Sequence, residues 1–250
     1  MPEFINFTGK KFIIAGASSG IGRKTAEVLN QYGASVIAIA RRRDKLEELI
    51  SNLEGKDNCY YFADLSVISK IEDVLKKIKN ENGPVDGLVF SSGISDSRPV
   101  KVATPEFVEQ MFRINFFAFF EMVRILTKRG YYNSGMSIVG ISSCASLDGE
   151  KSQSVYSASK AAMDAAVRVM AQELSEKGIR VNSIRPGMVK TDMYELFMKN
   201  VGSDAELLKK QFLGVGEVND IANATAFLLS PAAKFITGAH FAVDGGNTCH

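Results

Sequence analysis

The sequence predicts one α/β domain, a single doubly wound, Rossmann-type sheet of seven mostly parallel strands with helices on both faces. Three observations carry that expectation. Short apolar runs alternate repeatedly with longer stretches of helical periodicity, the pattern of βαβ units. The short runs are nearly continuous in apolar residues rather than alternating, as strands covered on both faces should be. A cluster of glycines follows the first run directly and opens the first helical stretch.

In chain order, KFIIA at Lys11–Ala15 is strand one, and helical periodicity follows over 20–32. SVIAIA at Ser35–Ala40 is strand two, with a helix over 44–53. CYYFA at 59–63 is strand three and 67–80 its helix. GLVF at 87–90 is strand four, followed by the long apolar helix 105–128. SIVGI at 137–141 is strand five, with the helix 155–177 after it. RVNSI at 180–184 is strand six, Val218–Leu229 the last helix and HFAV at His240–Val243 strand seven. No internal repeat, low-complexity tract or Pro/Gly-rich linker divides residues 1–250, so one domain is expected. The least regular stretch, 188–216, sets Met193, Tyr194, Leu196, Phe197 and Met198 among lysines. After a strand of an α/β sheet such an insertion suits a small substrate lid, because ligands bind beyond the carboxyl ends of the strands. A peripheral helical hairpin is the alternative.

Composition narrows the function. With 30 basic and 28 acidic side chains, the net charge of +2 does not suggest a nucleic-acid partner. The start has no basic segment followed by a long apolar run, so no secretory leader is expected. Nor does any stretch reach the ~20 apolar residues of a membrane span. Cys59, Cys144 and Cys249 are odd in number and widely separated, which predicts neither a disulfide framework nor a zinc site and suits a reducing cytoplasm. Cys144 is read as a small packing side chain, with a redox-sensitive thiol as the alternative. The two histidines, His240 and His250, both lie near the C-terminus, against a histidine metal site or a Ser-His-Asp triad.

Gly16-Ala17-Ser18-Ser19-Gly20-Ile21-Gly22 lies between strand one and the first helix. Glycines there let the backbone turn sharply and let a helix N-terminus approach a diphosphate, whose charge the free N–H groups attract. An NAD site of this architecture ends its second strand in a carboxylate for the ribose hydroxyls. Here Ala40 is followed by Arg41, Arg42 and Arg43, guanidinium groups suited to a 2′-phosphate. NADP(H) is therefore the expected cofactor, with NAD(H) the alternative. At least one of the three arginines is expected to be no more than a solvated helix start.

Tyr156 and Lys160 stand four apart on a helical segment and project from one face. A free phenol titrates near ~10, and a neighbouring ammonium together with the positive nicotinamide is expected to lower that value and fit the phenol for proton transfer. Ser142 and Ser143 end strand five, where a hydroxyl can bond a substrate oxygen.

The glycine spacing G-x-x-x-G-x-G, the Tyr-x-x-x-Lys pair and the order of motifs over nearly the whole chain resemble the short-chain dehydrogenase/reductase family. The broad resemblance is to its 3-oxoacyl-acyl-carrier-protein reductases. It implies a hydride transfer between a nicotinamide and a carbonyl or alcohol, with Tyr156 as general acid/base. It assigns Ser143, thirteen residues before Tyr156, as the catalytic serine. It makes Asn115 the residue that holds a water in the proton relay from Lys160. It implies that Arg41 marks NADP preference, that Asp64-Leu65 lies beside the adenine, and that Ser91-Ser92-Gly93 follows strand four near the cofactor. Asp64 serves equally as a helix cap. Pro186-Gly187 with Val189 and Thr191 is implied to meet the nicotinamide amide and pyrophosphate.

Two departures stand out: Ala15 replaces the family's usual threonine, and Phe90-Ser91-Ser92-Gly93 replaces Asn-Asn-Ala-Gly. Matched loss of two polar partners is expected to be tolerated, since one orphaned buried group costs more than two absent ones. The substrate pocket is expected to be lined by Ser95, Ala145, Leu147, Met188 and residues 193–198, more apolar than charged. A carrier-protein-bound acyl group is one substrate the resemblance allows, with Arg129 and Lys177 as docking residues. The apolar faces of 105–128 and 155–177, with Ala161, Ala162, Ala165 and Ala166, predict a homo-oligomer, tetramer or dimer.

Overall fold

A computed structural model describes residues 5–201 and 210–249. Seven strands form one sheet in the order β3-β2-β1-β4-β5-β6-β7: β1 Lys11–Ala15, β2 Ser35–Ala40, β3 Cys59–Phe62, β4 Val85–Phe90, β5 Tyr132–Ile141, β6 Arg180–Pro186 and β7 His240–Val243. Every pairing is parallel, so the sheet is more uniform than the mostly parallel one expected.

Its faces are buried by different helices. Helices α1 (Gly20–Gln31), α2 (Arg43–Asn52) and α8 (Val218–Leu229) share one core with Phe12, Ile14, Ala38 and Val139. On the other face, α3 (Ile71–Asn82), α5 (Ala118–Leu126) and α6 (Ser154–Ser175) pack against Ile13, Ile37, Phe90 and Ile138. Successive residues of β1 thus enter opposite cores, because a strand presents its side chains alternately to its two faces. Both kinds of position must be apolar, hence the unbroken apolar runs.

The segment expected as one helix over 105–128 is interrupted. α4 (Pro105–Phe112) and α5 are joined by a π-helical turn, Arg113–Phe117, in which the Ala118 N–H reaches back to the Arg113 carbonyl. Such single wide turns place a side chain out of α-helical register, frequently at functional sites. Asn115, fully buried, sits at its centre. Strand β5 begins five residues earlier than expected, with Tyr132 opposite Val85 across a register shift. In the irregular stretch 188–216, α7 covers Asp192–Val201, and 202–209 lie outside the described residues.

The strand order reverses between β1 and β4, which are neighbours although not consecutive. The connections leaving them run to different sides of the sheet, and a crevice opens between their carboxyl ends. The loop after β1 and the loop after β4 touch there: a Cβ on Gly16 would lie 2.7 Å from the Ser92 nitrogen, and φ at Gly16 is +87°. Only glycine meets both conditions.

Candidate active site

A cavity of about 790 Å³ runs along this crevice, from the glycine loop at one end to Ser143, Tyr156 and Lys160 further in. At the first end, α1 begins at Gly20 with Ser19 as its N-cap, and no side chain caps it. The helix-start N–H groups are therefore left for a ligand. A Cβ at Gly22 would lie 2.3 Å from the Gly16 carbonyl oxygen, so the turn before the helix is held tight. These features fit a dinucleotide diphosphate.

Of the three consecutive arginines, Arg42 reaches over this loop, donating to Ser18 Oγ at 3.1 Å and to Ser19 Oγ. Arg41 and Arg42 both line the cavity. Arg43 is instead the first residue of α2, with its guanidinium 5.9 Å from the Phe62 ring, and is the helix-start residue expected among the three. Asp64 Oδ1 accepts from the Ser66 N–H at 2.9 Å and from its hydroxyl at 2.7 Å. Burial alone would raise its pKa, but the Ser66 bonds and the Arg41 charge outweigh burial and lower it. Asp64 thus organises its own turn while lining the cavity with Leu65, so the capping and ligand-facing readings coexist.

The other expected cofactor residues, Ile21, Ser91, Ser92, Gly93, Pro186, Gly187, Val189 and Thr191, also line the cavity. Thr191 caps α7 through the Tyr194 N–H, 3.2 Å away, and its methyl stands 3.3 Å from where a Gly20 Cβ would lie. Met188 is tied to the buried Gln211, which accepts from its N–H at 2.8 Å and donates to its carbonyl at 3.0 Å. Gln211 carries no motif, and its role could not be read from the sequence. The Ala15–Ser91 contact is closed by the Ser91 N–H donating to the Ala15 carbonyl at 2.9 Å. Among the described residues the one buried side-chain oxygen without a partner, Ser157 Oγ, belongs to α6 and not to this contact.

Tyr156 and Lys160 come from the first turns of α6, and Ser143 follows β5 directly. Lys160 is buried and donates to the Ile141 carbonyl at 2.7 Å, with its Nζ 5.9 Å from the centroid of the Tyr156 ring. Burial pushes the lysine down to about 8, opposed by the Asp164 charge. It pushes Tyr156 up to about 12, although the Ser143 hydroxyl bonds to it and holds it down. The phenol was expected to lie below its ordinary value; in the protein alone, desolvation of the phenolate outweighs its neighbours.

Asn115 spends its side chain on structure. Its amide donates to the Ile94 carbonyl and to Ser159 Oγ, both at 3.0 Å, and its oxygen accepts from the Ile94 N–H at 2.9 Å. Gly93 stands between Asn115 and Lys160: a Cβ there would lie 3.2 Å from Asn115 Oδ1 and 3.5 Å from Lys160 Nζ. That corner has little room for a side chain. Burial raises the Cys144 thiol to about 11, which suits the packing reading.

The cleft is more charged than expected. Ser95, Ala145, Met188, Met193 and Tyr194 do line it, but so do Glu106, Glu109, Arg113, Asp148, Glu150 and Gln153. Leu147 and Leu196 are instead largely exposed. Lys210 closes toward this side, bonding Asp148 at 2.9 Å and Glu150 at 3.3 Å. The carboxylates come from α4 and from the loop before α6, segments with no motif to mark them. Arg129 and Lys177 are not at the cleft entrance: they precede β5 and β6 and so lie at the amino-terminal edge of the parallel sheet, opposite the site.

A family model described as enoyl-(acyl carrier protein) reductase matches residues 16–248. An L-xylulose reductase of Caenorhabditis elegans is 34% identical, with 98% of each chain covered. A 3-oxoacyl-[acyl-carrier-protein] reductase of Rickettsia felis is also 34% identical, covering 97% of this chain and 98% of that one. Among solved structures, a short-chain type dehydrogenase/reductase from Mycobacterium ulcerans superposes with a TM-score of 0.92 at 29% identity, over 98% of this chain and 92% of that one. A blue fluorescent protein from a metagenomic library, in complex with NADPH, gives 0.91 at 30% identity, over 97% and 99%.

The depressed Lys160 pKa has a measurable consequence. Below about pH 8 the buried ammonium destabilises the fold relative to the unfolded chain, and this penalty is relieved as pH rises from about 8 toward the ordinary lysine value of 10.5. In a nitrogen-detected NMR titration of the cofactor-free protein, with the signal assigned by Lys160→Arg, Lys160 should lose its proton near pH 8. A lysine still charged at pH 10 would refute the desolvation account.

Proposed function

The chain belongs to the short-chain dehydrogenase/reductase family, and from that premise we propose that it is an NADP(H)-preferring reductase of small, polar carbonyl compounds with Tyr156 as general acid/base. The observation that carries this reading is the convergence of Ser143, Tyr156 and Lys160 on one cavity whose far end holds an uncapped helix start under Arg42. As an oxidoreductase of this family it acts on carbonyl or CH–OH groups.

When bound, the nicotinamide dinucleotide exchanges a hydride with the substrate carbon. The chain's own residues handle the oxygen and its proton. Ser143 bonds the substrate oxygen and holds it beside the phenol. Tyr156, protonated far above neutral pH in the free protein, gives its proton to that oxygen in reduction and takes it back in oxidation. The Lys160 ammonium stabilises the resulting phenolate, since an opposite charge at short range favours the ionised form. Lys160 passes a proton to the phenolate and is reprotonated from solvent past Gly93 and Asn115, with the Asn115 side chain holding the π-helical turn in place. Arg42, with Arg41 beside it, takes the 2′-phosphate of NADP(H), and Ala40 leaves no carboxylate to repel it. The segment after β6, including α7, serves as the lid of this single-domain enzyme.

The charged lining of the cleft favours a hydroxylated substrate of the ketose kind, as the name of the L-xylulose reductase relative suggests, over an acyl chain. Four carboxylates against Arg113 and Lys210 also oppose an acidic carrier protein at this entrance. Phe117 and Phe120, more than two-fifths exposed and each in ring contact with the partly buried Phe116, support a homo-oligomer formed through the face that α5 shares with α6. The free cysteines suit a cytoplasmic setting.

Four outcomes are expected. With L-xylulose, erythrulose and an acetoacetyl thioester compared side by side, the ketoses should give at least ~10-fold higher kcat/KM, and Tyr156→Phe should lower kcat by about 10²–10⁴-fold. Full reduction by the phenylalanine variant would exclude the mechanism. Arg42→Ala should raise the KM for NADPH ~10–100-fold, as expected for lost charged hydrogen bonds, and leave that for NADH nearly unchanged; a wild-type preference for NADH would refute the phosphate role. Light scattering at micromolar concentration should report a dimer or tetramer, and a monomer would remove the role given to the α5–α6 face.

A further inference from the structure

One buried carboxylate has no part in the chemistry above. Asp164 lies one helical turn beyond Lys160 on α6, and its side chain is 3% exposed. A carboxylate so deep must be met by donors, and Asp164 is met from three other segments. Ser146, in the turn that follows Ser143, donates to Oδ2 at 2.6 Å. Arg185 of β6 donates from Nε to the same oxygen at 2.8 Å. Ser183 of β6 donates to Oδ1 at 2.7 Å, and His240 of β7 places Nδ1 3.6 Å from Oδ1.

The protons in this cluster have one consistent arrangement. Ser183 gives its only proton to Asp164, so at its 2.8 Å contact with His240 Nδ1 it must accept, and Nδ1 carries the hydrogen. Arg168 on α6 approaches His240 Nε2 at 2.9 Å and can only donate, so Nε2 is bare. His240 is therefore neutral, and burial together with the Arg185 and Arg168 charges lowers its pKa despite Asp164. A chain of donors thus runs from Arg168 through His240 and Ser183 to a carboxylate that also pairs with Arg185.

We propose that Asp164 is a positioning residue for the catalytic pair, setting the register of α6 against the Ser143 turn and supplying the anion that keeps Lys160 protonated. This rests on the roles of Tyr156 and Lys160 proposed above. The geometry argues for it in two ways. Ser146 is three residues from Ser143 and Asp164 four from Lys160, so their 2.6 Å bond fixes how the serine's strand end faces the helix that carries Tyr156. Asp164 also stands four residues from Lys160 on α6, the spacing that brings two side chains together on one helix face, and its charge there opposes the effect of burial. The charged groups around Asp164 are Lys160 and Arg168 on α6 and Arg185 from β6, with the neutral His240 imidazole from β7, so among the described residues no second carboxylate of the cluster substitutes for it.

The test compares wild type, Asp164→Asn, Asp164→Glu and Ser146→Ala in NADPH-dependent carbonyl reduction across pH. Asp164→Asn should lower kcat at least tenfold with the KM for NADPH within threefold. It should also move the alkaline limb of kcat/KM, which reports Lys160, to lower pH by about one unit or more. Asp164→Glu should restore the limb even where kcat stays low. Ser146→Ala, which keeps the charge, should lower kcat several-fold with the limb unmoved, and it remains informative should the asparagine variant not fold. A loss of thermal stability with wild-type kcat and an unmoved limb would assign Asp164 to the scaffold alone and overturn the proposal, as would wild-type kcat in Ser146→Ala. Undiminished reduction by Tyr156→Phe would mark failure of the underlying reading, and the Asp164 series is interpreted only on activity that Tyr156→Phe lowers by about 10²-fold or more.

Discussion

The site depends on one charged group held where charge is costly: the Lys160 ammonium, sealed under the cleft and donating to the Ile141 carbonyl. That bond ties α6 to the end of β5, so the residue that carries the charge also seats the helix. Tyr156 is presented one turn earlier on the same helix, and Ser143 two residues beyond Ile141 on the same strand. The three groups therefore share one mechanical support, and their spacing follows from how the helix lies on the strand. Burial works against the charge and against ionising the phenol alike. A site in this state holds its proton on Tyr156 and its charge on Lys160 at neutral pH, ready for a neighbouring oxygen that becomes more basic.

The opposite end of the cleft is built on a different economy. There the backbone is the binding group, and side chains are kept out: Gly16 and Gly22 let the β1 loop, the α1 start and the β4 loop approach to distances that a Cβ would forbid. Arg42 then brings a positive charge over the loop from a separate strand end. The two ends meet in one cavity because the sheet reverses its order between β1 and β4, the place where an α/β fold leaves its carboxyl edge open. Around the substrate side, paired charges such as Lys210 with Asp148 and Glu150 give a polar wall.

Much of this was legible in the sequence. The strands were readable because both faces of a parallel sheet are buried, so each strand is an apolar run regardless of fine packing. The glycine loop, Ser143, Tyr156 and Lys160 were readable because their chemistry requires those residue types at short fixed spacings. Other features left no local trace. The interruption of the helix at Arg113–Phe117 depends on Asn115 bonding Ile94 and Ser159, residues remote in sequence. Gln211 and the carboxylates of α4 reach the cleft only through packing. The docking role suggested for Arg129 and Lys177 failed because sequence reading did not ask at which end of the sheet each turn lies.

The sequence by itself determined the fold, the family and which side chains the proposed chemistry uses, since these rest on local patterns of burial and on spacing along one helix or one turn. Only the tertiary structure decided the charge states and the surroundings of those side chains. The pKa of Tyr156 was raised rather than lowered because desolvation is a property of everything packed around a group, and neither Ser146 nor Arg185 nor His240 is near Asp164 until the strands and α6 have come together.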